Sequence, residues 1–333
     1  MPTVGITGVS GFIGDAVARR YADNGWSVRG LDLRLPDPAD PLTPHPDSRV
    51  DYLVGDVTSP AAIAELVSGA DLVVHTAAIV AESGDWTDFD RINARAPRQV
   101  ALAARDAGAT SFVHLSSVMV HGFSFPHGVD EAGPLDHAAN PYCASKIRSE
   151  HMLRGLDVPG EFHVHILRPG DVYGPMSMPW IIRPIQHIRS RIYLVIKDGV
   201  INHVYIDNLV DAIEVVAAGG ATSSGRAYIV TDGIATPARD FWGWYADQMG
   251  RSLAPTLPGW LAEPLVGGAA AILPESWRRR FDLDRQSIRY LRRRGAYSNA
   301  ALRSLGWEPR VALEVGRENT AAWLREIGLL PSA

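Results

Sequence analysis

A single cysteine, Cys143, stands in the chain, so no internal disulfide can form. Stability must come from a packed core, and a reducing, cytoplasmic setting is the expectation. Excess basic charge is missing too: 32 Lys and Arg against 37 Asp and Glu leave a formal charge of -5. That removes the electrostatic footprint that a nucleic-acid partner requires. Apolar runs of ~18 residues free of charge and proline, the length that spans a bilayer, are absent. The nearest stretch, 257–273, is interrupted by Pro258, Glu263, Pro264 and a Gly267-Gly268 pair. No cleavable leader is expected, because Met1-Pro2 runs straight into Thr3–Thr7, which reads as a strand. Internal repeats and low-complexity segments are not found, and no spacing of ligands suggests a metal site.

What is present is the alternation of an α/β protein. Of the 333 residues, 46% are hydrophobic, enough for one large unit or two lobes. Short β-rich runs at Thr3–Thr7, Ser27–Asp32, Val50–Val54, Asp71–His75 and Ser111–Ser116 predict strands. Helical stretches at Phe12–Asn24, Pro60–Ser68 and Asp88–Ala107 lie between several of them, a further helix is expected near Pro141–Arg154, and a further strand at His163–Leu167. Runs such as Asp71-Leu72-Val73-Val74-His75 are continuously apolar, as strands covered on both faces are. The expected fold is therefore α/β, a Rossmann-type doubly wound parallel sheet. Residues 35–48, with five prolines, read as a surface loop. Beyond Pro169 the alternation weakens, which predicts a smaller C-terminal substrate lobe over 169–333. The cofactor domain would span 1–168, with segments near 200–235 returning to it.

The first strand-to-helix turn is Thr7-Gly8-Val9-Ser10-Gly11-Phe12-Ile13-Gly14. Glycines allow the tight turn and the close approach of a pyrophosphate to main-chain N–H groups, and the helix start presents unpaired donors. The spacing is G-x-x-G-x-x-G. Asp32 ends the second strand, 18 residues beyond Gly14. An acid there accepts from ribose hydroxyls and repels a 2′-phosphate, which favours NAD over NADP, although Arg34 lies two residues on. Asp56, followed by Val57, ends the third strand and is placed for an adenine amino group.

Tyr142 and Lys146 are four apart after the helix-start signal Asn140-Pro141, so they share a helix face. A nearby ammonium favours the phenolate and draws the phenol toward the working range. Ser116-Ser117 ends the fifth strand, where ligands of open α/β sheets sit.

With these residues in view, the chain resembles an extended short-chain dehydrogenase/reductase of the NAD-dependent epimerase/dehydratase superfamily. The matching pieces are Thr7–Gly14, Asp32, Asp56, His75-Thr76-Ala77-Ala78, Asn93, Leu115-Ser116-Ser117, Pro141–Lys146, Leu167–Pro175 and Val204–Asn208. The resemblance implies Tyr142 as general acid/base, Lys146 as its pKa partner and ribose ligand, and Ser117 as donor to the substrate oxygen. It also implies a cofactor cradle of Gly8, Ser10, Gly11, Phe12, Ile13, Gly14, Asp32, Asp56, Val57, Ala77, Ala78, Asn93, Ser116, Tyr142, Lys146 and Pro169. His121 departs from the pattern, standing where a tyrosine is common.

Within the superfamily three readings compete. Sugar-nucleotide dehydratases carry Asp-Glu after the catalytic serine or threonine, where this chain has Val118-Met119. Nucleotide-sugar 4-epimerases place an asparagine at Asp171 and an arginine near Asn202 to hold the pyrophosphate. The 3β-hydroxysteroid dehydrogenase branch is resembled by 203–208, 225–233, 241–244, and 305–309 with Trp323. That branch implies a secondary alcohol or ketone on a bulky apolar substrate. Trp180, Ile181, Ile182, Trp260, Leu261, Leu265 and Val266 are candidates for an apolar wall. The basic residues Arg278–Arg280, Arg285, Arg289 and Arg292–Arg294 allow a peripheral membrane contact or a solvated face. A homodimer through the Tyr142 helix and a non-catalytic NAD-binding role are the other expectations the resemblance leaves open.

Overall fold

The computed structural model describes residues 1–81, 83–190, 196–253, 257–272 and 285–332. Its centre is a seven-stranded sheet of β1 (Thr3–Thr7), β2 (Ser27–Asp32), β3 (Val50–Val54), β4 (Leu72–His75), β5 (Ser111–Leu115), β6 (His163–Pro169) and β9 (Ala227–Val230). The spatial order is β3-β2-β1-β4-β5-β6-β9 and every pairing is parallel. Each crossover passes over one face, so both faces are covered and the strands are apolar along their whole length. Val4, Ile6, Val74 and Val113 pack on one side with Val17, Leu209 and Ile213 of helices Phe12–Asp23 and Ile206–Gly219. Val73, Phe112 and Ile166 pack on the other with Ile63, Val100 and Leu153. This is the doubly wound parallel sheet that the alternation predicts.

The strand order reverses between β1 and β4, which opens a crevice at the carboxyl ends of both. Helix starts follow their sequence signals. Ser59 caps Pro60–Val67, and the side chain of Asn140 accepts from the Cys143 N–H at 2.7 Å to start Pro141–Arg154. The expected helix over Asp88–Ala107 is a composite: Trp86–Phe89, a π-helical turn over Asp90–Arg95, then Ala96–Asp106. Pro97 lacks the N–H that a continuing α-ladder would use, and the wider turn precedes it.

A second sheet, with no counterpart among the expected strands, joins β7 (Asp171–Tyr173), β8 (Val200–Tyr205) and β10 (Ala235–Pro237) in the order β10-β8-β7. Its strands leave the large sheet through Gly170, and a separate core forms around Tyr173, Ile181, Ile185, Phe241 and Tyr245. The helix Gly259–Ile272 packs with Arg285–Leu291 through Ala262, Val266 and Ile288.

Candidate active site

The glycine loop is built for a close-fitting anion. Gly8 has φ +73°, and a Cβ there would lie 2.8 Å from Thr76 Oγ1 and 2.9 Å from the Ala77 nitrogen. At Gly14 a Cβ would reach within 2.1 Å of the Gly8 carbonyl oxygen. No side chain fits at Gly8 or Gly14, so the backbone itself can face the crevice there. Gly11 caps the helix Phe12–Asp23 without a side-chain hydrogen bond, which leaves its first N–H donors open to a phosphate. The Asp32 carboxylate closes the loop from the next strand. It accepts from Ser10 N–H at 3.0 Å and Leu33 N–H at 2.7 Å, with lone pairs left for ribose hydroxyls. The Ser10 hydroxyl donates to the Arg34 carbonyl, so the loop and the Asp32 strand end form one unit. Asp56 is held below the usual carboxylate range by the backbone N–H of Thr58, and Arg91 stands 3.8 Å away. Val57 packs beside the core of that face. These donors and cradles suit a dinucleotide: the loop for its phosphates, Asp32 for a ribose, Asp56 for an adenine amino group.

Ala77 and Ala78 follow β4 across the loop, with the Ala77 N–H donating to Thr7 Oγ1 at 3.3 Å. Asn93 comes from the π-helical turn. Its amide makes both hydrogen bonds to the Ile79 backbone, at 2.8 and 2.9 Å, and reaches Ser145 Oγ at 3.3 Å. It thereby staples the Ala77-Ala78 segment to the helix that bears Tyr142. Phe12 and Ile13 are half-buried and pack inward on the cores, and Pro169 ends β6 beside the same crevice.

Tyr142, Lys146 and Ser117 converge at the end of β5. The Lys146 ammonium donates to the Leu115 carbonyl at 2.7 Å and lies 5.8 Å from the Tyr142 ring centroid. Ser117 Oγ accepts from the Met119 N–H at 3.1 Å, and its hydroxyl lies close enough to Tyr142 to draw the phenol down. Burial pulls the Lys146 ammonium down to about 8, opposed by the Glu150 carboxylate. Burial pushes the Tyr142 hydroxyl up, and the Ser117 bond pulls it down less. The expected lowering by Lys146 is not found among the influences on the phenol, whose ammonium neighbour is aimed at the Leu115 carbonyl. The Ser116 hydroxyl, expected at the cofactor, donates instead to Glu150 at 2.6 Å.

Behind the trio lies a layer of buried polar groups that motif spacing did not reveal. Glu150, one turn beyond Lys146, takes two bonds from Arg168, at 2.9 and 2.7 Å. That pair holds its carboxyl below the usual range against burial. Arg168 also reaches His121 at 3.2 Å, which gives the unassigned histidine a neighbour in the scaffold. His75 and His114 lie side by side on β4 and β5, ring centroids 5.7 Å apart, and both are pulled well below the usual imidazole value, first by burial and then by Lys146.

The residues expected for an apolar wall lie apart from one another. Tyr142 sits in a cluster with Phe89, Met119, Ala139, Cys143 and Tyr290, flanked by Ile79, Phe123 and Trp180. Trp180 alone of the expected wall residues is there. Ile181 and Ile182 are fully buried, Ile181 in the core of the small lobe. Trp260 and Leu265 point to solvent, 69% and 52% exposed, and Val266 packs with Ile288. Leu261 is only half-buried, on that same helix.

Asp171 also differs from expectation. It is fully buried and takes two bonds from Arg293, at 2.9 and 2.8 Å, one from the Tyr290 hydroxyl at 2.5 Å and one from the Asn202 N–H at 2.8 Å. Its charge is met by Arg293, so it neither repels nor attracts an anion in the cleft. The Asn202 side chain donates to the Gly295 carbonyl. Among the described members of the basic stretch, Arg289 and Arg292 pair with Glu263, Arg294 pairs with Asp198 and Arg293 is buried. Arg278–Arg280 and the Arg285 side chain lie outside the described residues. Among the described residues no three His, Cys, Asp or Glu side chains group to hold a metal, and no helix is long and apolar enough to cross a membrane.

Three relatives by sequence and one solved structure frame these observations. A 3-beta-hydroxysteroid dehydrogenase of Mycolicibacterium neoaurum is 26% identical over 244 residues, 68% of this chain and 65% of that protein. A ceramide reductase of Caulobacter vibrioides is 33% identical over 172 residues, 52% of this chain and 47% of its own. The chain thus spans less than two thirds of either relative. A UDP-glucose 4-epimerase of Mycolicibacterium smegmatis is 28% identical over 338 residues, 96% of this chain and 97% of that one. In fold, the chain matches a dTDP-glucose 4,6-dehydratase of Streptomyces venezuelae solved with NAD, at TM-score 0.77 and 22% identity over 98% of this chain and 97% of the other. The model of the NAD dependent epimerase/dehydratase family matches residues 4–230. The cradle, the Tyr142–Lys146–Ser117 trio and this match agree: the chain belongs to the NAD-dependent epimerase/dehydratase family, and its cofactor is NAD.

Proposed function

We propose that the protein is an NAD-dependent oxidoreductase that interconverts a secondary alcohol and a ketone on a bulky apolar scaffold of hydroxysteroid type. The observation that carries this reading is the surroundings of Tyr142: Met119, Phe123, Trp180 and Tyr290 pack in one apolar cluster with it, and the neighbouring buried cation, Arg293, is paired with Asp171. Apolar area contributes ~25 cal/mol per Å² when buried, so a ring system needs no charged anchor, whereas a diphosphate does. NAD supplies the hydride acceptor when bound. In the oxidation direction Tyr142, as phenolate, takes the alcohol proton at its oxygen while Ser117 Oγ holds the alcohol oxygen. Lys146, buried against the Leu115 carbonyl, keeps positive charge beside the phenol and its remaining N–H donors for a ribose. A turnover screen with NAD over hydroxysteroids, aromatic alcohols and nucleotide sugars tests this at the nicotinamide absorbance band. Absorbance gain with hydroxysteroids supports it; silence with them and conversion of a UDP-sugar would overturn it.

A 4-epimerase is the second reading, favoured by the UDP-glucose 4-epimerase match, which runs along nearly the whole chain. Against it stands the pairing found among the described residues at Asp171 and Asn202, where Arg293 is taken up by Asp171 and the Asn202 side chain by the Gly295 carbonyl.

A further inference from the structure

Tyr290 lies 148 residues from Tyr142 in sequence, yet the two belong to one apolar cluster. Its ring is fixed from three directions. The hydroxyl donates to Asp171 Oδ1 at 2.5 Å, itself fully buried. The Arg293 guanidinium lies 3.5 Å over the ring centroid, held there by two bonds to Asp171 and one from Nε to the Tyr290 carbonyl at 2.8 Å. Phe123 meets it edge-on at 5.9 Å and Trp180 at 5.7 Å, tilted by 44°. One guanidinium nitrogen is shared between both Asp171 oxygens, Nε is tied to the Tyr290 carbonyl and the face lies on the ring, so these contacts together restrict both Arg293 and the ring.

The same arrangement consumes the charge. Arg293 spends its donors on Asp171, the Tyr290 carbonyl and, at 3.5 Å, the Tyr297 hydroxyl, and its face on Tyr290. What reaches the Tyr142 side is an aromatic surface and no ionic one. The segment is anchored on its far side as well: the Val200 N–H donates to the Arg293 carbonyl and the Gly128 N–H to the Ala296 carbonyl. The ring position is therefore set by the meeting of the small sheet, the 123–130 loop and the 290–297 segment.

We propose that Tyr290 is the specificity-determining wall of the substrate site, locked by the buried Asp171–Arg293 pair so that it presents a rigid aromatic face to an uncharged ring scaffold beside Tyr142. This rests on the alcohol–ketone reading above and adds the residue that selects scaffold size. Rigid aromatic surface lowers the ordering cost of binding a flat substrate, and it gives nothing to a diphosphate.

The test uses the NAD holoenzyme with two probes, pregnenolone as a bulky 3β-hydroxysteroid and cyclohexanol as a small secondary alcohol. KM and kcat are measured for wild type, Tyr290→Phe, Tyr290→Leu and Tyr290→Ala, with NADH binding as a check that each variant is folded. Tyr290 is 7% exposed, so a substrate meets it over a small area; loss of ~40 Å² of apolar contact, counted on both partners, corresponds to roughly fivefold. Tyr290→Ala should raise KM for pregnenolone by about that factor relative to its change for cyclohexanol, and Tyr290→Phe, which keeps the ring, should leave the ratio close to wild type. Should Tyr290→Ala not fold, Tyr290→Leu carries the comparison, with a smaller shift of the same sign. Turnover of both alcohols with an unchanged KM ratio in these variants overturns the inference and leaves the alcohol–ketone reading intact. If the wild-type holoenzyme neither turns over pregnenolone nor binds it by calorimetry, both fall. Tight binding of UDP to the wild type would show a cation available in the cleft and would also overturn the inference.

Discussion

Two aspartates, each at the edge of a strand near the crevice, have opposite fates. Asp32 ends β2 half-exposed, accepts two backbone N–H groups and keeps acceptor capacity to spare. Asp171 opens β7 fully buried, and four donor bonds from Arg293, Tyr290 and Asn202 saturate it. The cofactor end of the molecule leaves polar groups open toward its ligand. Around Asp171 the polar groups close upon themselves, beside the buried apolar cluster that holds Tyr142. A carboxylate at a strand end is thus a ligand group only when its surroundings leave lone pairs free, and sequence position alone does not say which.

The comparison breaks most visibly at the trio between the two ends. Tyr142→Phe should lose ~10²–10⁴-fold in kcat, the usual contribution of a general acid–base group, while NAD affinity stays close to wild type. Steady-state kinetics beside NADH titration checks both halves; near-normal turnover contradicts the assignment.

Asp171→Asn should cost about 3–5 kcal/mol of stability, because it leaves the Arg293 charge buried without its partner. Denaturant unfolding measures it. Asp32→Asn, on the exposed counterpart, should leave stability nearly unchanged. An equal loss in both would erase the distinction drawn between the two carboxylates.

Much of the cofactor end was legible in the sequence because its parts are local. The glycine turn, the strand-end acid and the Tyr142–Lys146 spacing each lie within one strand, turn or helix, where backbone geometry dictates the outcome. The apolar cluster around Tyr142 was not, for a physical reason. Tyr290 and Arg293 meet Tyr142 and Asp171 only through tertiary packing across more than a hundred residues, and no periodicity marks them. Apolar content pointed to Trp260 and Leu265, which face solvent, because hydrophobicity identifies residues able to line a site and not those that do. The π-helical turn that carries Asn93 escaped notice likewise, since a one-residue widening leaves the apolar pattern almost unaltered.

The sheet that joins both ends holds neutral histidines, and this sets a pH dependence. Burial brings His75 to about 3 and His165 to about 4, and lowers His114 as well. In the unfolded chain these rings titrate near ~6.5. The unfolded state therefore binds more protons below that value, and stability falls as pH drops from ~6.5 toward the folded values. The histidine contribution is fully present above pH ~6.5. Thermal melts from pH 8 to pH 5 should show a falling Tm below that point; a Tm that stays flat would contradict the neutral, buried state of these rings.

A smaller effect is expected at the cofactor end. Charge-assisted hydrogen bonds contribute about 1.5–3 kcal/mol, so Asp32→Ala should weaken NAD binding by roughly tenfold or more and narrow its margin over NADP. Tighter NADP than NAD binding by the wild type would contradict the role given to Asp32.

Tracing deuterium from the carbinol carbon of the substrate tests the central claim most directly. The wild-type enzyme is incubated with NAD and either a hydroxysteroid deuterated at its carbinol carbon or UDP-glucose deuterated at C4, and the label is located by NMR. The account predicts that the label leaves the hydroxysteroid and is recovered in reduced cofactor released to solution, with the UDP-sugar unchanged. Label retained at C4 of a UDP-sugar whose configuration has inverted, with no label in free cofactor, would contradict it.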